Sequence, residues 1–199
     1  MTAAATHPVL LLLAGPSGSG KTTLCERLVA EQPSVERVVT ATTRPMRPGE
    51  ANGVHYHFLS EAQFDAAIAN GEFLEWACIF GKHRYGTLRR TVLEKLAAGV
   101  SLIAAIDVQG VRNVCAVAET DPVLRRALVT VFVAPATIDE LRARLGGRGD
   151  DPADIERRMQ TALEELRAAD RFQHRIASSS RNADYAALLE IWRAACTRV

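Results

Sequence analysis

Val9-Leu10-Leu11-Leu12-Leu13-Ala14 runs directly into Gly15-Pro16-Ser17-Gly18-Ser19-Gly20-Lys21-Thr22. The first six residues are apolar at every position, the pattern of a strand covered on both faces. The next eight match G-x-x-x-x-G-K-[ST] and open a helix expected from about Lys21 to Glu31. Strand, turn and helix thus follow in the order that a phosphate-binding loop requires. Its glycines let backbone N–H groups turn inward around phosphate oxygens. The helix start adds the positive end of its dipole. The candidate triphosphate site is therefore Gly15, Pro16, Ser17, Gly18, Ser19, Gly20, Lys21, Thr22 and Thr23. Lys21 would bridge the β- and γ-phosphates, and the Thr22 hydroxyl would hold Mg²⁺. An ordinary glycine-rich turn is the bland alternative, but the pattern arises by chance in only about one chain in a hundred.

Outward from this loop, apolar runs alternate with helical patterns, which predicts an α/β fold with a largely parallel sheet and helices on both faces. Core strands are expected at Val9–Ala14, Val35–Val39, Val100–Ile106 and Val129–Val133. A one-sided strand is expected at Val54–Leu59, where VHYHFL alternates, and another strand at Glu72–Phe80. Ser60-Glu61-Ala62-Gln63 and Thr137-Ile138-Asp139-Glu140 are capping boxes that start helices. Further helices are expected at about Thr87–Ala98, from Asp151-Pro152 to about Ala169, and at about Asn182–Cys196. In the second of these, Ile155, Met159, Ala162, Leu163 and Leu166 share one face. We expect a single domain over 1–199. Its core is about 8–39, 88–136 and 170–197, with a small β-rich insertion at about 40–87 and a lid at about 137–169.

The 199 residues carry 48% hydrophobic and 24% charged side chains and a net charge of +1. A chain of that size builds its core without disulfide or metal staples. Near-neutral charge argues against a protein devoted to nucleic acid backbones. Only Lys21, Lys82 and Lys95 are lysine; the other basic residues are arginine. Cys25, Cys78, Cys115 and Cys196 are widely spaced, which predicts reduced, mostly buried thiols in a cytoplasmic protein. No apolar run is long enough to span a membrane. The chain start lacks the basic leader of a secretory signal.

Asp107 closes the strand Val100–Ile106. Beside a phosphate loop such an acid is expected to order the Mg²⁺ water shell; the alternative is an ordinary helix N-cap. Arg44 and Arg47 lie three apart in a loop held by Pro45 and Pro48, where two guanidinium forks could grip one phosphate.

The text around them, TATTRPMRPGEANGVHYHFL at Thr40–Leu59, resembles the guanylate kinase family. Thr42, Thr43, Arg44, Arg47, Gly49, Glu50, Gly53, Tyr56 and Phe58 fall on that family's pattern. The likeness continues through Phe73-Leu74-Glu75-Trp76-Ala77, Tyr85-Gly86-Thr87, Ile106-Asp107-Val108-Gln109-Gly110 and Arg144-Leu145-Gly146-Gly147-Arg148-Gly149 to Arg158. The resemblance implies ATP-dependent phosphorylation of GMP, and of dGMP, with Mg²⁺. It implies that Arg44, Arg47, Tyr56 and Tyr85 hold the GMP phosphate and that Glu75, Thr40 and Thr87 read guanine. Asp107 belongs with the GMP site as well as with Mg²⁺. Arg148 and Arg158 would close over the transferring group from a mobile lid, so the expected catalytic set is Lys21, Arg44, Arg148 and Arg158. The sequence departs from the pattern at Thr40, commonly serine, and at Ala105, commonly aspartate. It departs again at Ala177-Ser178-Ser179-Ser180, commonly an Asn-Asp-Asp turn.

Rival readings are a kinase of the same fold acting on a ribose phosphate and a silent protein-binding module. The partners expected are ATP and GMP, without nucleic acid or membrane, in a monomer or homodimer. His55 and His57 could hold a metal from one strand face, but no third ligand is evident. Trp76, Trp192 and Cys78 are expected in the core, and Arg157 is the substitute for Arg158 should the alignment slip by one.

Overall fold

A computed structural model describes residues 7–79, 82–146 and 152–197. Five strands, β1 (Leu10–Ala14), β2 (Val35–Arg37), β7 (Ser101–Ala105), β8 (Leu128–Ala134) and β9 (His174–Ala177), form one sheet. Its order is β2-β7-β1-β8-β9, and every pairing is parallel. Parallel strands need crossovers, and the helices supply them on both faces. Val9, Leu11 and Leu13 pack with Leu24 and Leu28 of α1 (Lys21–Glu31) and Leu188 of α8 (Arg181–Cys196). Leu10, Leu12 and Ala14 alternate to the other face. There they meet Val92 and Leu96 of α3 (Arg89–Ala97), Val111 and Val114 of α4 (Val108–Ala118) and Leu124 of α5 (Pro122–Ala127). Two cores on two faces explain why β1 is apolar at every position. Each leucine so buried contributes on the order of 2 kcal/mol.

The second sheet contains β3 (Ala41–Thr42), β4 (His57–Phe58), β5 (Phe73–Ile79) and β6 (His83–Leu88), in the order β4-β3-β6-β5. α2 (Glu61–Ala69) lies between β4 and β5 in the chain and starts with the expected capping box. The Ser60 hydroxyl accepts from Gln63 N, and Gln63 Oε1 accepts from Ser60 N. Two further helices, α6 (Ile138–Gly146) and α7 (Pro152–Arg167), pack on each other through Leu141, Met159 and Ala162. Leu166 turns instead toward Phe132 and Ala169. Among the described residues, no helix is long and apolar enough to cross a membrane.

Several expectations are corrected. The strand expected at Val54–Leu59 shrinks to two residues. Residues 51–56 form a turn instead, in which Gly53 N donates to Tyr56 O and Ala51 N donates to His55 Nδ1. His55 therefore serves the turn and does not share a strand face with His57. No group of three metal-ligating side chains occurs among the described residues. The helix expected from Thr87 begins at Arg89, because residues 83–88 pair with β5 as an antiparallel strand. Trp76 is 42% exposed, on an outer strand, with its ring edge-on to Phe64. Cys78 is exposed on the same strand, whereas Cys25 and Cys196 are buried; all four cysteines are free. β9 was not anticipated, since only Ile176 of its four residues is buried.

The doubly covered sheet makes core and surface changes diverge sharply. Leu28→Ala, at a fully buried site, is expected to cost about 3 kcal/mol in urea denaturation. Val54→Ala, 64% exposed, is expected to change stability by less than about 0.5 kcal/mol.

Candidate active site

β1 ends in a turn that only glycine permits at its first position. Gly15 has φ +136°, and a Cβ there would lie 2.3 Å from the Val133 carbonyl oxygen. The loop is thereby pressed onto β8 and delivers the chain to α1. Side chains cap the N-termini of α2, α4, α5 and α8. α1, like α3, has no such cap and no acid in its first turn, and of the two it is α1 that follows the glycine-rich loop. Its unpaired N–H groups and dipole are left for an anion. Thr22 and Thr23 are exposed on that first turn. Ser19 is buried, and its hydroxyl has no hydrogen-bond partner among the described residues. Lys21 folds back over the loop, donating from Nζ to Gly15 O at 2.5 Å and Pro16 O at 2.8 Å. Burial lowers its pKa, while the negative charge of Glu165 partly restores it.

Across the cleft, the register of the second sheet decides the arrangement. A bulge between Phe73 and Glu75 sets Glu75 opposite Thr87. The Thr87 hydroxyl donates to Glu75 Oε1 at 2.6 Å, with both residues buried. Gly110 of α4 closes the back of this pair, since a Cβ there would come within 2.8 Å of Glu75 Oε2. Desolvation outweighs the Thr87 hydrogen bond and raises the Glu75 pKa to about 7, with the charge of Asp107 adding to the rise.

Arg44 is held quite differently. Its Nη2 donates to Glu50 Oε1 at 2.7 Å and its Nη1 to Pro45 O at 2.7 Å. The guanidinium carbon stands 5.4 Å from the Tyr56 ring centroid and 5.6 Å from that of Phe58, within cation–π range. The other oxygen of Glu50 accepts from Arg47 N at 2.7 Å. Hydrogen bonds from Arg44 and from the Arg47 backbone hold the Glu50 pKa down at about 2. One carboxylate thus fixes both the arginine and the loop that carries it. Arg47 itself is exposed.

These walls enclose a cleft of about 570 Å³. Gly15, Ser17 and Lys21 line one side; Thr40, Arg44, Arg47, Tyr56, Glu75 and Tyr85 line the other. Ala105 and Asp107, at the end of β7, form the floor between them. Thr87 reaches the cleft through Glu75. Asp107 forms the helix cap that was the alternative to its expected Mg²⁺ role, Oδ1 accepting from Gly110 N at 2.9 Å, and it also lines the cleft. Arg158 of α7 donates from Nη2 to Ser17 Oγ at 3.1 Å. Arg148 lies outside the described residues. The Ala177–Ser180 turn is closed from within, since Asp184 of α8 accepts from the Ser178 hydroxyl at 2.6 Å and from Ser179 N at 2.9 Å.

The cleft thus sets a phosphate loop opposite a carboxylate–hydroxyl pair and an arginine–tyrosine group. A family model for guanylate kinase matches residues 7–195. The chain belongs to the guanylate kinase family. It is 47% identical over 175 residues to a guanylate kinase of Streptomyces coelicolor, covering 87% of this chain and 85% of that one. It is 45% identical over 173 residues to a guanylate kinase of Gloeobacter violaceus, covering 85% and 80%. The crystal structure of guanylate kinase from Anaplasma phagocytophilum superposes with a TM-score of 0.76 at 25% identity, covering 98% of this chain and 89% of that chain.

Three residues of the site escaped sequence reasoning as participants. Glu50 was seen only as part of the pattern, yet it is the anchor of Arg44. Gly110 was seen only as part of a turn, yet it is the wall behind Glu75. Glu165 was not considered at all, although it lies two helical turns beyond Arg158 and lines the same cleft.

The raised pKa of Glu75 fixes the sign of a pH effect. The folded state holds this proton more tightly than the unfolded chain, so Glu75 costs stability as pH rises from about 4.5 to about 7. Glu75→Gln is therefore expected to be more stable than the parent above pH 7, by about 3 kcal/mol. That advantage should vanish below about pH 4. Paired urea titrations across that range check it.

Proposed function

We propose that this chain transfers the γ-phosphoryl group of ATP to GMP, giving ADP and GDP. The observation that carries the reading is the Glu75–Thr87 pair set in the wall opposite the phosphate loop. Guanine presents a ring N–H and an exocyclic amine side by side, and a carboxylate accepts from both. Adenine offers a ring acceptor at the corresponding place and would leave the buried carboxylate unpaired, which is costly. Thr87 keeps one carboxylate oxygen oriented, and Thr40 supplies a further hydroxyl at the same wall.

The phosphate of GMP would lie against Arg44, Arg47, Tyr56 and Tyr85. Arg44 enters already aligned by Glu50, so little side-chain entropy remains to be lost when the anion arrives. On the donor side, the loop amides, the α1 N-terminus and Lys21 bind the triphosphate. Arg158, already at Ser17, adds positive charge where the transferring group would pass. No covalent intermediate is required: positioning and charge stabilisation suffice for in-line transfer.

Mg²⁺ suits the donor set, since the Thr22 hydroxyl, exposed on the first turn of α1, and the Asp107 carboxylate on the cleft floor are hard oxygen ligands. Thr22 would bind it directly and Asp107 through water. When bound, the ion neutralises charge on the phosphates.

The deciding measurement is ADP release with GMP, dGMP, AMP, CMP, UMP and ribose phosphates side by side. GMP and dGMP are expected to react at least ~1,000-fold more efficiently than the rest, as a hydrogen-bonding site does against analogues that lack its donors. Comparable turnover of AMP or a ribose phosphate would overturn the assignment. Glu75→Ala is expected to raise the KM for GMP at least ~100-fold and leave that for ATP within about threefold. Lys21→Ala is expected to lower kcat about 1,000-fold, near 4 kcal/mol of transition-state stabilisation, with the melting temperature little changed.

A further inference from the structure

β2 ends at the edge of the cleft, and its last residue is a base. Val35 of this strand packs in the core on the α1 face of the sheet, with Leu24, Cys25 and Leu28. Glu36 turns to the opposite face, where its carboxylate accepts from Lys95 Nζ of α3 at 2.7 Å. Alternation returns Arg37 to the α1 face, one step beyond Val35 toward the end of the sheet where the phosphate loop leaves β1. Arg37 lines the cleft together with Gly15, Ser17 and Lys21. It is exposed, and among the described residues no hydrogen bond or ion pair holds its guanidinium.

The strand between Arg37 and the loop leaves its path clear. β7 lies between β2 and β1. Arg37 stands opposite Ile103 of β7, and Ile103 belongs to the same core on the α1 face. Ala105, two residues further along, shares that face and ends the strand. Residues 101–104 are buried, whereas Ala105 is exposed and lines the cleft. Its side chain is a single methyl group, so the floor is open where a longer one would separate Arg37 from the loop. Lys21, on the far side, already gives two of its three donors to the Gly15 and Pro16 carbonyls. Arg37 therefore brings to this floor a cation whose donors the chain has not used, in a rigid fork that matches two phosphate oxygens at once.

We propose that Arg37 is a further binding residue of the donor site, its guanidinium reaching across Ala105 to the terminal phosphate of the triphosphate held by the loop. The inner phosphates are left to the loop amides and the α1 N-terminus. The terminal one, directed toward the wall that carries Arg44, passes over the floor that Arg37 overlooks. The consequence for turnover rests on the phosphoryl-transfer reading above; the contact with the donor does not depend on which acceptor is used.

Arg37 is exposed, so its replacement is expected to leave the fold intact. Titration calorimetry with MgATP, MgADP and GMP, each added alone, isolates the contact, because ADP lacks the terminal phosphate. Arg37→Ala is expected to weaken ATP binding about tenfold, the size of one charge-assisted contact. The Kd values for ADP and GMP should stay within about twofold of the parent's. Arg37→Lys keeps the charge but loses the fork, and its ATP affinity should fall between those of Arg37→Ala and the parent. In the kinetic assay the KM for ATP should rise about tenfold in Arg37→Ala, with the KM for GMP within about twofold. Equal losses for ATP and ADP, a loss confined to GMP, or unchanged ATP binding would overturn the proposal. A parent that binds ATP but fails to phosphorylate GMP would sink the substrate assignment instead, while the comparison of ATP with ADP, made without acceptor, still decides the role of Arg37.

Discussion

Two charges of opposite sign are withheld from water on opposite walls of one cleft, and the protein satisfies neither fully. Desolvation lowers the pKa of Lys21 and raises that of Glu75. Lys21 receives two carbonyls, and Glu75 receives one hydroxyl. A direct ion pair would relieve both and leave nothing for a ligand. The fold forbids it by rooting one charge in α1, behind the parallel sheet, and the other in β5 of the second sheet. On the reading proposed above, a molecule pair with phosphate at one end and paired N–H donors at the other would supply the missing partners. Such poised charges in a partly dry cleft are the usual source of transition-state stabilisation.

Holding these charges apart requires a rigid floor, and two glycines connect floor to site. Gly15 leaves no room between the phosphate loop and Val133 of β8, a central strand of the sheet. Gly110 leaves room for the Glu75 carboxylate against α4, whose own N-cap is Asp107. Packing of α4 on the sheet through Val111 and Val114 is therefore transmitted to both acids. A side chain at either glycine would fill no void; it would move a binding group. This is how the hydrophobic cores on the two faces of β1 become a matter of chemistry.

The phosphate loop, the strand before it and the parallel sheet were legible because each obeys a local rule: an unbroken apolar run, a fixed glycine spacing, an alternation of strand and helix. Glu75 was reached only through resemblance, whereas Arg44 already stood out by its spacing to Arg47 in a proline-held loop. No local rule announces that a glutamate in FLEWACIF is buried opposite a threonine twelve residues on; a bulge and an antiparallel register decide that. Trp76 and Cys78 were misread for a related reason, since an apolar residue on an outer strand looks like core until its neighbours are known. β9 hides because it exposes most of its residues, and residues 54–56 looked extended until hydrogen bonds within the turn, from Gly53 and to His55, proved stronger than alternation.

The second sheet and its loops hold two carboxylates in contrasting environments. Glu50 accepts from a guanidinium and a backbone N–H, and its pKa is held near 2, so it stays ionised through the whole working range. Glu75 has a hydroxyl and a dry pocket, and its pKa stands near 7. The difference separates scaffold from recognition. As pH falls through neutrality Glu75 gains a proton and ceases to be a double acceptor, while the Arg44 clamp is untouched. A neutral carboxyl can still donate or accept once, but it cannot take two N–H groups as an anion does. On the reading proposed above, loss of base reading would therefore precede any loss of the Arg44–Glu50 geometry, since one acid has its partners within the chain and the other would find them in its ligand.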